Sequence, residues 1–233
     1  MSGSAPQNLR ILIIGAGRMG QAVEQAARSR GHDVVAVFGR ADVQHPTWPP
    51  ADVAIEFTSP ESAVGVMAAC RERQLPLVSG TTGWDAERAA VEEATASAGH
   101  ALVWASNFSR AVYLFRKALA SVSDVMRSAE DFTPSIHEVH HTGKRDAPSG
   151  TAKTLAEDMA GTGWPKVSIA AERLAGVPGT HSVDWRNATD SIQLRHSAFG
   201  RHGFAHGAVG AAEWLVAHKE PHNRIFGPED FWG

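Results

Sequence analysis

The first half of the chain alternates short apolar runs with amphipathic stretches of helical spacing. Short apolar runs between turn residues predict buried strands, and amphipathic stretches predict helices. The predicted strands are the run before Gly15 and residues 34–37, 52–57, 75–79 and 101–105, and the predicted helices are 21–30, 60–74 and 85–98. Strands that alternate with helices form parallel sheets. We therefore predict an α/β fold, a Rossmann-like doubly wound parallel sheet, over residues 1–110.

The pattern changes after Arg110. A long helix is predicted over 111–128, a strand over 134–140 and a helix from Thr151 onwards. Short β runs follow at 167–173, 181–186 and 191–197, with a hairpin connection at 187–190. These elements predict a second, α+β domain with a mixed or antiparallel sheet over residues 111–202. The last amphipathic helix, 204–218, is expected to return to the first domain, so residues 203–233 are assigned there.

Composition and charge narrow the class of protein. The chain has 233 residues and a formal net charge of −3, which gives no electrostatic footprint for nucleic acid or an anionic membrane. No apolar stretch approaches the roughly 18 to 20 residues of a transmembrane helix, and residues 1–8 lack the pattern of a signal peptide. Cys70 is the single cysteine, so no disulfide is expected. We expect a cytoplasmic protein.

A glycine fingerprint follows the first predicted strand. Residues 15–20 read Gly-Ala-Gly-Arg-Met-Gly, and the helix and second strand that follow complete the context of a dinucleotide-binding site. Gly15 is expected to make the tight turn, Gly17 to let the backbone approach the pyrophosphate, and Gly20 to let helix and strand pack closely. The candidate cofactor residues here are Gly15, Ala16, Gly17, Arg18, Met19 and Gly20. The alternative is a glycine-rich turn that binds nothing.

The end of the second predicted strand bears on the choice of cofactor. NAD-selective sites place an Asp or Glu there for the ribose hydroxyls, whereas this chain has Phe38, Gly39 and Arg40. The guanidinium of Arg40 would pair with a 2′-phosphate, which predicts NADPH as the preferred cofactor and NADH as an alternative. Asp42 could supply the acid if the strand runs further than predicted. Arg40 could also be an exposed arginine with no such role.

Three further segments fall at the carboxyl ends of predicted strands, where a doubly wound sheet binds its ligands. We predict cofactor contacts from Phe57, Thr58, Gly80, Thr81, Thr82, Ala105, Ser106, Asn107 and Phe108. The alternative for each segment is ordinary turn chemistry.

The densest group of reactive side chains lies between residues 138 and 151. His140 and His141 can carry a proton near neutral pH, and Lys144 is a permanent cation. Ser149, Gly150 and Thr151 precede a helical run, and helix N-terminal N–H groups bind carboxylates. The segment therefore predicts a site for a small anionic substrate that must be protonated. The alternative is a histidine pair without chemistry.

The same segment contains a zinc-protease pattern, His-Glu-x-x-His, that starts at His137. The pattern binds zinc only on a helix, where its two histidines share one face. Pro134 and Gly143 favour extended chain here, and a strand would separate His137 and His141 by about 13 Å. We therefore predict no metal.

Several motifs together resemble one enzyme family. They are residues 15–20, Gly-Thr-Thr-Gly at 80–83, Ser-Asn-Phe-Ser at 106–109, and Glu-x-His-His-x-x-Lys-x-Asp-Ala-Pro-Ser-Gly-Thr-Ala at 138–152, with further matches at 179–181, 196, 201 and 204–208. The set is similar to the 4-hydroxy-tetrahydrodipicolinate reductase family, also called dihydrodipicolinate reductase. The resemblance covers nearly the whole chain. It implies an NAD(P)H-dependent reductase of diaminopimelate and lysine biosynthesis, assembled as a homotetramer through the sheet of the second domain.

The resemblance also implies roles for individual residues. His140 matches the general acid, His141 and Lys144 the pair that contacts the dicarboxylate substrate, and Ser149, Gly150 and Thr151 the segment that clamps its carboxylate, while Arg201 matches a further group near the substrate. Residues 15–20, 80–82 and 105–108 match cofactor contacts. Two departures from the family pattern stand out. Gly39 replaces an acidic residue that favours NADH. The chain is also short, with little between Arg40 and Asp52 and a trimmed loop between the last two β runs, and this shortening bears on the tetramer contacts.

The implied reaction has two parts. Hydride from the nicotinamide adds to a cyclic, conjugated imine, and the resulting enamine takes up a proton, which His140 would supply. One alternative is another NADPH-dependent reductase of a small carboxylate, such as an aspartate dehydrogenase. A second is a non-catalytic NADP-binding redox sensor, but a sensor needs no proton donor, so residues 138–151 favour catalysis.

Overall fold

The computed structural model describes residues 8–39, 41–218 and 223–233. The chain divides into two units. The first unit comprises the chain up to Ser109 together with Arg201–Gly233, and the second unit comprises Arg110–Gly200. Each unit has its own sheet and its own hydrophobic core.

A five-stranded sheet forms the centre of the first unit, with the order β2-β1-β3-β4-β5 and all neighbours parallel. The strands are β1 Arg10–Ile14, β2 Asp33–Phe38, β3 Val53–Glu56, β4 Leu77–Ser79 and β5 Leu102–Trp104. Glu56 pairs with Ile14 on one side and with Ser79 on the other, so the carboxyl ends of these strands meet at one edge. The predicted doubly wound parallel sheet is confirmed.

Helices cover both faces of this sheet because alternate strand residues are apolar on both sides. The helices that follow the strands are α1 Arg18–Ser29, α2 Pro60–Glu72 and α3 Arg88–Ala98. Ile11 and Ile13 pack in one core cluster with α1, whereas Leu12 and Ile14 pack in a second cluster with α2. The predicted helix over 85–98 begins as a separate 3-10 turn, Asp85–Glu87.

The second unit is built on a mixed sheet of order β7-β6-β8-β9. Its elements are α4 Arg110–Met126, β6 Thr133–His140, α5 Gly150–Gly161, β7 Ser168–Arg173, β8 Gly179–Arg186 and β9 Ser191–Ala198. Strand β6 runs parallel to β7 and antiparallel to β8, and β8 runs antiparallel to β9. Leu119 of α4 and Leu155 of α5 are buried with Ile136 and Trp185 of the sheet.

The alternation along β6 decides which of its side chains are enclosed. Ile136, Glu138 and His140 are buried, whereas His137 is more exposed and forms a contact of 2.9 Å with Glu172. Successive strand residues point to opposite faces. Glu138 and His140 therefore share the face of Ile136, away from His137.

The chain then returns to the first unit through α6 His202–Ala217 and α7 Pro228–Trp232. Helix α6 begins two residues before the predicted 204–218, and α7 was not predicted. A Cβ on Gly207 would lie 1.8 Å from the carbonyl oxygen of Phe108, so only glycine permits this approach of α6. Within the described ranges, no helix is long and apolar enough to cross a membrane.

Candidate active site

The glycine fingerprint makes a tight connection between β1 and α1. Gly15 has φ +117°, and a Cβ there would lie 2.1 Å from the carbonyl oxygen of Phe57. A Cβ on Gly20 would lie 1.7 Å from the carbonyl oxygen of Gly15, whereas a Cβ on Gly17 would meet nothing within 4 Å. Gly15 and Gly20 thus permit close packing, and Gly17 leaves space next to its backbone.

A cavity of about 600 Å³ lies beside this turn. Of the predicted cofactor residues, it is lined by Gly15, Ala16, Gly17, Phe57 and Thr58. The N-terminus of α1 has no side-chain cap and no acidic residue in its first turn, so its backbone donors and positive dipole end suit a phosphate. Arg18 is exposed and Met19 is partly buried. The cavity and this helix start fit a dinucleotide.

The residues on the far side of the cavity were not predicted from the sequence. It is formed by small or short residues on one face of α2, namely Ser62, Gly65, Val66 and Ala69, together with Gly39, Val43 and Gln44. The helical spacing of the small residues was the available signal, but small residues on a helix more often mark packing against another element.

At the end of β2, the backbone N–H of Gly39 donates to the Asp42 carboxylate over 2.7 Å. Strand β2 ends at Phe38, and Asp42 lies beyond it in a 3-10 helix, from which its carboxylate reaches back to the strand end. Arg40 lies outside the described residues.

A buried carboxylate organises the carboxyl ends of β3 and β4. Glu56 is fully buried and accepts hydrogen bonds from the Thr58 hydroxyl at 2.5 Å, the Thr81 hydroxyl at 2.5 Å and the Ser79 hydroxyl at 2.6 Å. The backbone N–H of Thr58 also donates to it over 2.6 Å. Glu56 therefore fixes the positions of two predicted cofactor residues, Thr58 and Thr81.

The loop after β4 is held by two indoles as well. Trp84 and Trp104 each donate from Nε1 to the carbonyl oxygen of Thr81 over 2.8 Å. A Cβ on Gly80 would lie 2.0 Å from the ring of Phe57, while Thr82 is exposed. Gly80, Thr81 and Thr82 are not among the described residues that line the cavity.

The segment after β5 is also outside the cavity lining. Ala105 and Phe108 are buried in the core, and Ser106 is exposed. Asn107 Oδ1 accepts from the backbone N–H of Ser109 over 2.8 Å, an Asx turn that positions the start of the next element. The predicted cofactor contacts of these residues stay predictions.

In the second unit, Glu138 lies between two histidines. Its Oε2 lies 3.2 Å from Nδ1 of His140 and 3.7 Å from Nε2 of His181, and the two imidazole rings are 5.0 Å apart. Its Oε1 accepts from the backbone N–H of Ser149 over 2.9 Å and from Nη2 of Arg173 over 3.2 Å. Strands β6, β7 and β8 and the start of α5 thus converge on one buried carboxylate.

Burial and charge shift the protonation of this group. Burial alone would raise the pKa of Glu138, but hydrogen bonds from Ser149 and Arg173 and the charge of His140 outweigh it and lower the pKa. Burial lowers the pKa of His140; Glu138 opposes this, and Lys144 and Arg173 add to it. Burial lowers the pKa of His181 to about 4. Glu138 is therefore ionised at neutral pH, and His181 is neutral.

Lys144 lies in the segment that follows β6. Its Nζ lies 2.8 Å from Oδ1 of Asp146, and its backbone N–H donates to the carbonyl oxygen of His141 over 3.0 Å. The guanidinium of Arg173 donates to the carbonyl oxygen of Lys144 over 3.3 Å and also to that of Asp146. Arg173 therefore ties the Lys144 segment to Glu138, while His141 lies partly exposed beside the turn.

The start of α5 is already partly occupied by the protein's own groups. The backbone N–H of Ser149 is used by Glu138, and the Ser149 hydroxyl accepts from the N–H of Ala152 over 3.2 Å as an N-cap. Burial would raise the pKa of Asp146, but hydrogen bonds from Lys144 and the Gly150 backbone lower it. The Asp146 carboxylate thus sits where the sequence predicts that a substrate carboxylate binds. Gly150 is exposed and Thr151 partly exposed.

Arg201 belongs to the first unit, whereas the other predicted substrate residues belong to the second. It is exposed and immediately precedes α6.

The same buried group has the residue types of a metal-binding donor set. One ligand atom each from Glu138, His140 and His181 lie within 4.8 Å of one another. This set differs from the sequence pattern His137 to His141, because His137 points away from Glu138. The structure thus brings together a donor set that the motif did not predict.

Arg173 and His181 were not predicted as site residues, and Glu138 was noted only as part of the motif. Arg173 lies 35 residues beyond Glu138, and His181 lies 32 residues beyond Ser149. No local spacing could have brought these residues together. The pairing of β6 with β7 and β8 does so, since Glu138 pairs directly with Ala171 and His181.

Both halves of the chain match known family models. Residues 9–108 match dihydrodipicolinate reductase, N-terminus, and residues 111–231 match dihydrodipicolinate reductase, C-terminus. The 4-hydroxy-tetrahydrodipicolinate reductase of Christiangramia forsetii is 37% identical over 220 residues, covering 89% of this chain and 92% of the relative. The protein of that name from Xanthomonas euvesicatoria is 38% identical over 229 residues, covering 89% of this chain and 92% of the relative.

Solved structures share the fold. A dipicolinate-bound dihydrodipicolinate reductase from a Paenisporosarcina species superposes with a TM-score of 0.75 at 21% identity, covering 96% of this chain and 99% of that one. A probable dehydrogenase from Thermotoga maritima superposes with a TM-score of 0.61 at 12% identity, covering 95% of this chain and 92% of that one.

Proposed function

The chain belongs to the dihydrodipicolinate reductase family, and we propose that it reduces 4-hydroxy-tetrahydrodipicolinate, by way of dihydrodipicolinate, to tetrahydrodipicolinate in diaminopimelate and lysine biosynthesis. The enzyme is an NAD(P)H-dependent oxidoreductase. The observation that carries the proposal is the distance of 3.2 Å between Nδ1 of His140 and Oε2 of the buried Glu138. Lys144 lies in the segment that follows, and both halves of the chain match the family. A redox sensor has no use for such a proton donor.

The dicarboxylate substrate is held by cations and a helix start. Lys144 exchanges its contact with Asp146 for a substrate carboxylate, and His141 contacts the same group. Backbone donors of Gly150 and Thr151 at the start of α5 complete the site, since a helix N-terminus stabilises an anion. Ser149 acts through its N-cap, and Arg201 supplies a further cation.

His140 donates the proton that the reduced product requires. The hydride adds to one end of the conjugated carbon–nitrogen system, which leaves an electron-rich enamine carbon. Protonation of that carbon by the imidazolium of His140 completes the reaction and leaves a neutral imidazole. The second negative charge of the substrate favours the protonated imidazole in the complex, against the effect of burial.

When bound, NADPH supplies the hydride. Gly15, Gly17 and the start of α1 would hold its pyrophosphate, and Phe57 and Thr58 line the cavity beside them. Gly39 carries no side-chain acid, and Asp42 is engaged by the Gly39 N–H, so the proposal includes preference for NADPH over NADH through Arg40. The residues of 80–82 and 105–108 would complete the cofactor site, in which Glu56 and the indoles of Trp84 and Trp104 hold Thr81 in place.

The proposal includes a cytoplasmic homotetramer. Support comes from side chains of the second unit that another chain would cover. His137 and Glu172 are accessible on one face of its sheet. The apolar side chains of Leu174 and Ile192 are 50% and 44% exposed. Light scattering of the purified chain tests the assembly, with a mass of four chains expected.

A coupled assay tests the activity. The preceding synthase, fresh aspartate semialdehyde and pyruvate generate the substrate, and loss of NADPH absorbance reports its reduction. Consumption of NADPH that depends on all three additions supports the proposal. Oxidation of aspartate with NADP⁺, without turnover in the coupled assay, would instead support an aspartate dehydrogenase.

A further inference from the structure

We propose that Glu138 is a positioning residue that fixes the tautomer of His140. In this arrangement, Nδ1 of His140 carries a proton toward Glu138, and Nε2 is left for the proton that is transferred. The inference rests on the proposed function, in which His140 is the acid, but the tautomer itself can be measured without turnover.

The first step concerns the two oxygens of the Glu138 carboxylate. Oε1 accepts two hydrogen bonds, from the N–H of Ser149 and from Arg173. Oε2 is buried and has no hydrogen-bond partner of good geometry, although His140 Nδ1 lies only 3.2 Å away. An ionised, buried oxygen without a donor is strongly disfavoured. One of the neighbouring imidazoles must therefore present an N–H to it.

The second step excludes His181 as that donor. Its Nε2 lies 3.7 Å from Oε2 of Glu138, which is beyond hydrogen-bond distance, but 3.2 Å from the hydroxyl oxygen of Ser149. Nδ1 of His140, in contrast, lies 3.2 Å from the same oxygen. Of the two imidazoles, His140 is therefore the one placed to donate to Oε2. This assignment follows from the network of heavy atoms.

The third step concerns the opposite edge of the His140 ring. A Cβ on Gly179 would lie 3.0 Å from both Nε2 and Cδ2 of His140. A larger side chain at this position would press on that edge, and glycine avoids this contact. The tautomer that Glu138 selects thus places the exchangeable proton on the edge that faces Gly179.

The charges that surround His140 come from several elements. Glu138 lies on its own strand, Lys144 and Asp146 follow that strand, and Arg173 lies on β7. On β8 and β9, His181 and His196 face the same group. Among these neighbours, Glu138 is the only carboxylate that is fully buried, and Arg173 and Ser149 keep it ionised.

The direct test is nitrogen NMR of the full chain with labelled histidine, because the shifts of imidazole nitrogens distinguish the tautomers. The signals of His140 are assigned by their loss in His140→Gln. We expect neutral His140 to carry its proton on Nδ1 in the wild type. In Glu138→Gln, the side-chain amide would donate to Nδ1, so the proton should move to Nε2. Glu172→Gln, which removes a carboxylate from the exposed face of the same sheet, should leave the signals of His140 unchanged.

The kinetic test measures kcat and KM across pH for the same variants. General acid catalysis contributes a factor of roughly 10² to 10⁴ to the rate, so Glu138→Gln should lower kcat by about 10² and change KM by less than about threefold. The wild type should lose activity at alkaline pH as His140 deprotonates. This alkaline limb of the pH profile should be absent in Glu138→Gln. Glu172→Gln should behave like the wild type.

Three results would overturn the inference. They are a proton on Nε2 of neutral His140 in the wild type, an alkaline limb that survives in Glu138→Gln, and stoichiometric metal in the purified protein whose removal changes the His140 signals. An inactive wild type with the expected tautomer would refute the proposed function and leave the positioning contact intact. If Glu138→Gln fails to fold, the wild-type spectrum still decides the tautomer.

Discussion

The carboxylate of Glu56 accepts a hydrogen bond of 2.5 Å from the hydroxyl of Thr81, 25 residues further along the chain. The same carboxylate accepts from Ser79 and from Thr58, and no part of it is exposed. A buried ion with four donors is stable only while its donors stay in place. The contact therefore links the stability of the first unit to the geometry of the loops that are predicted to contact the cofactor.

Glu56→Gln should destabilise the first unit. The amide can accept with one oxygen only, and its NH₂ group faces hydroxyls that need an acceptor. Hydrogen bonds to a charged group contribute about 1.5 to 3 kcal/mol each, so we expect the free energy of unfolding to fall by about 3 kcal/mol. Urea denaturation measures this loss. NADPH should also bind more weakly to the variant.

The control for this experiment is Glu92→Gln. Glu92 is about half exposed and forms an i,i+4 ion pair with Arg88 at 3.0 Å, which contributes below about 1 kcal/mol. Equal stability of Glu56→Gln and Glu92→Gln would contradict the role assigned to the buried network.

Much of the fold follows from the sequence because its signals are local. The alternation of apolar runs and helices predicts the parallel sheet, and Gly15 to Gly20 predict the tight turn, since both depend on neighbouring residues. Glu56 gives no such signal, because a carboxylate at the end of a strand is indistinguishable from a solvent-exposed one until its partners are known. The same holds for Glu138 and Arg173, which strand pairing brings together.

Boundaries and starts of helices were predicted less well. The sequence places the start of a helix at 85, but residues 85–87 form a 3-10 turn. The residue before this turn, Trp84, donates from its indole to the carbonyl oxygen of Thr81. Helix α6 starts at His202, two residues before the predicted start. Tertiary contacts decide such ends, and no single segment contains that information.

Lys144→Ala should lower kcat/KM by roughly 10² or more. The substrate carboxylate would lose its main cation and its alignment, and positioning contributes strongly to the rate. Lys166→Ala removes an exposed lysine and is the matched control. Steady-state kinetics in the coupled assay measure both. Full activity of Lys144→Ala would mean that the ion pair with Asp146 serves the structure of the turn only.

The efficiency of wild-type enzyme with NADPH should exceed that with NADH by roughly tenfold or more, because a charge-assisted contact to the 2′-phosphate contributes about 1.5 to 3 kcal/mol. Arg40→Ala should remove this difference. NADH has no 2′-phosphate, so kcat/KM for NADH should stay unchanged in the variant and is the internal control. Equal efficiency of the wild type with both cofactors would contradict the role of Arg40.

His140 and His141 should respond differently to substitution. A proton donor acts in the transition state, whereas an anchor binds substrate and transition state alike. His140→Gln should therefore lower kcat by at least about tenfold with a modest change in KM, and His141→Gln should raise KM at least as strongly as it lowers kcat. Initial rates over a range of substrate concentrations at saturating NADPH separate the two effects.

The pH profile gives a second test of His140. In the proposed mechanism the protonated imidazole is the active form, so activity is lost as pH rises through its pKa. Burial lowers that pKa in the free enzyme. The alkaline limb of kcat/KM should therefore begin below the ordinary histidine range, about pH 6.5. His140→Gln should lack the limb. Retention of the limb in the variant would assign the proton to another donor.

The buried His181 should make the stability of the second unit depend on pH. Its pKa in the folded chain is about 4, against 6.5 for an ordinary histidine. The unfolded chain therefore binds a proton between these values that the folded chain does not, and stability falls as pH decreases through this window. A depression of this size corresponds to about 3 kcal/mol at most.

Urea denaturation of wild type and His181→Gln from about pH 4 to pH 8 measures this contribution. The variant should lose less stability than the wild type as pH falls below 6.5, since it lacks the histidine that must become charged on unfolding. Above that pH the two curves should run parallel, because His181 is neutral in both states. Carboxylates with lowered pKa values that lie outside this group, such as Asp230, lose their contribution at lower pH in both proteins and cancel in the difference. Parallel curves across the whole range would show that His181 takes up its proton in the folded chain as readily as in the unfolded one.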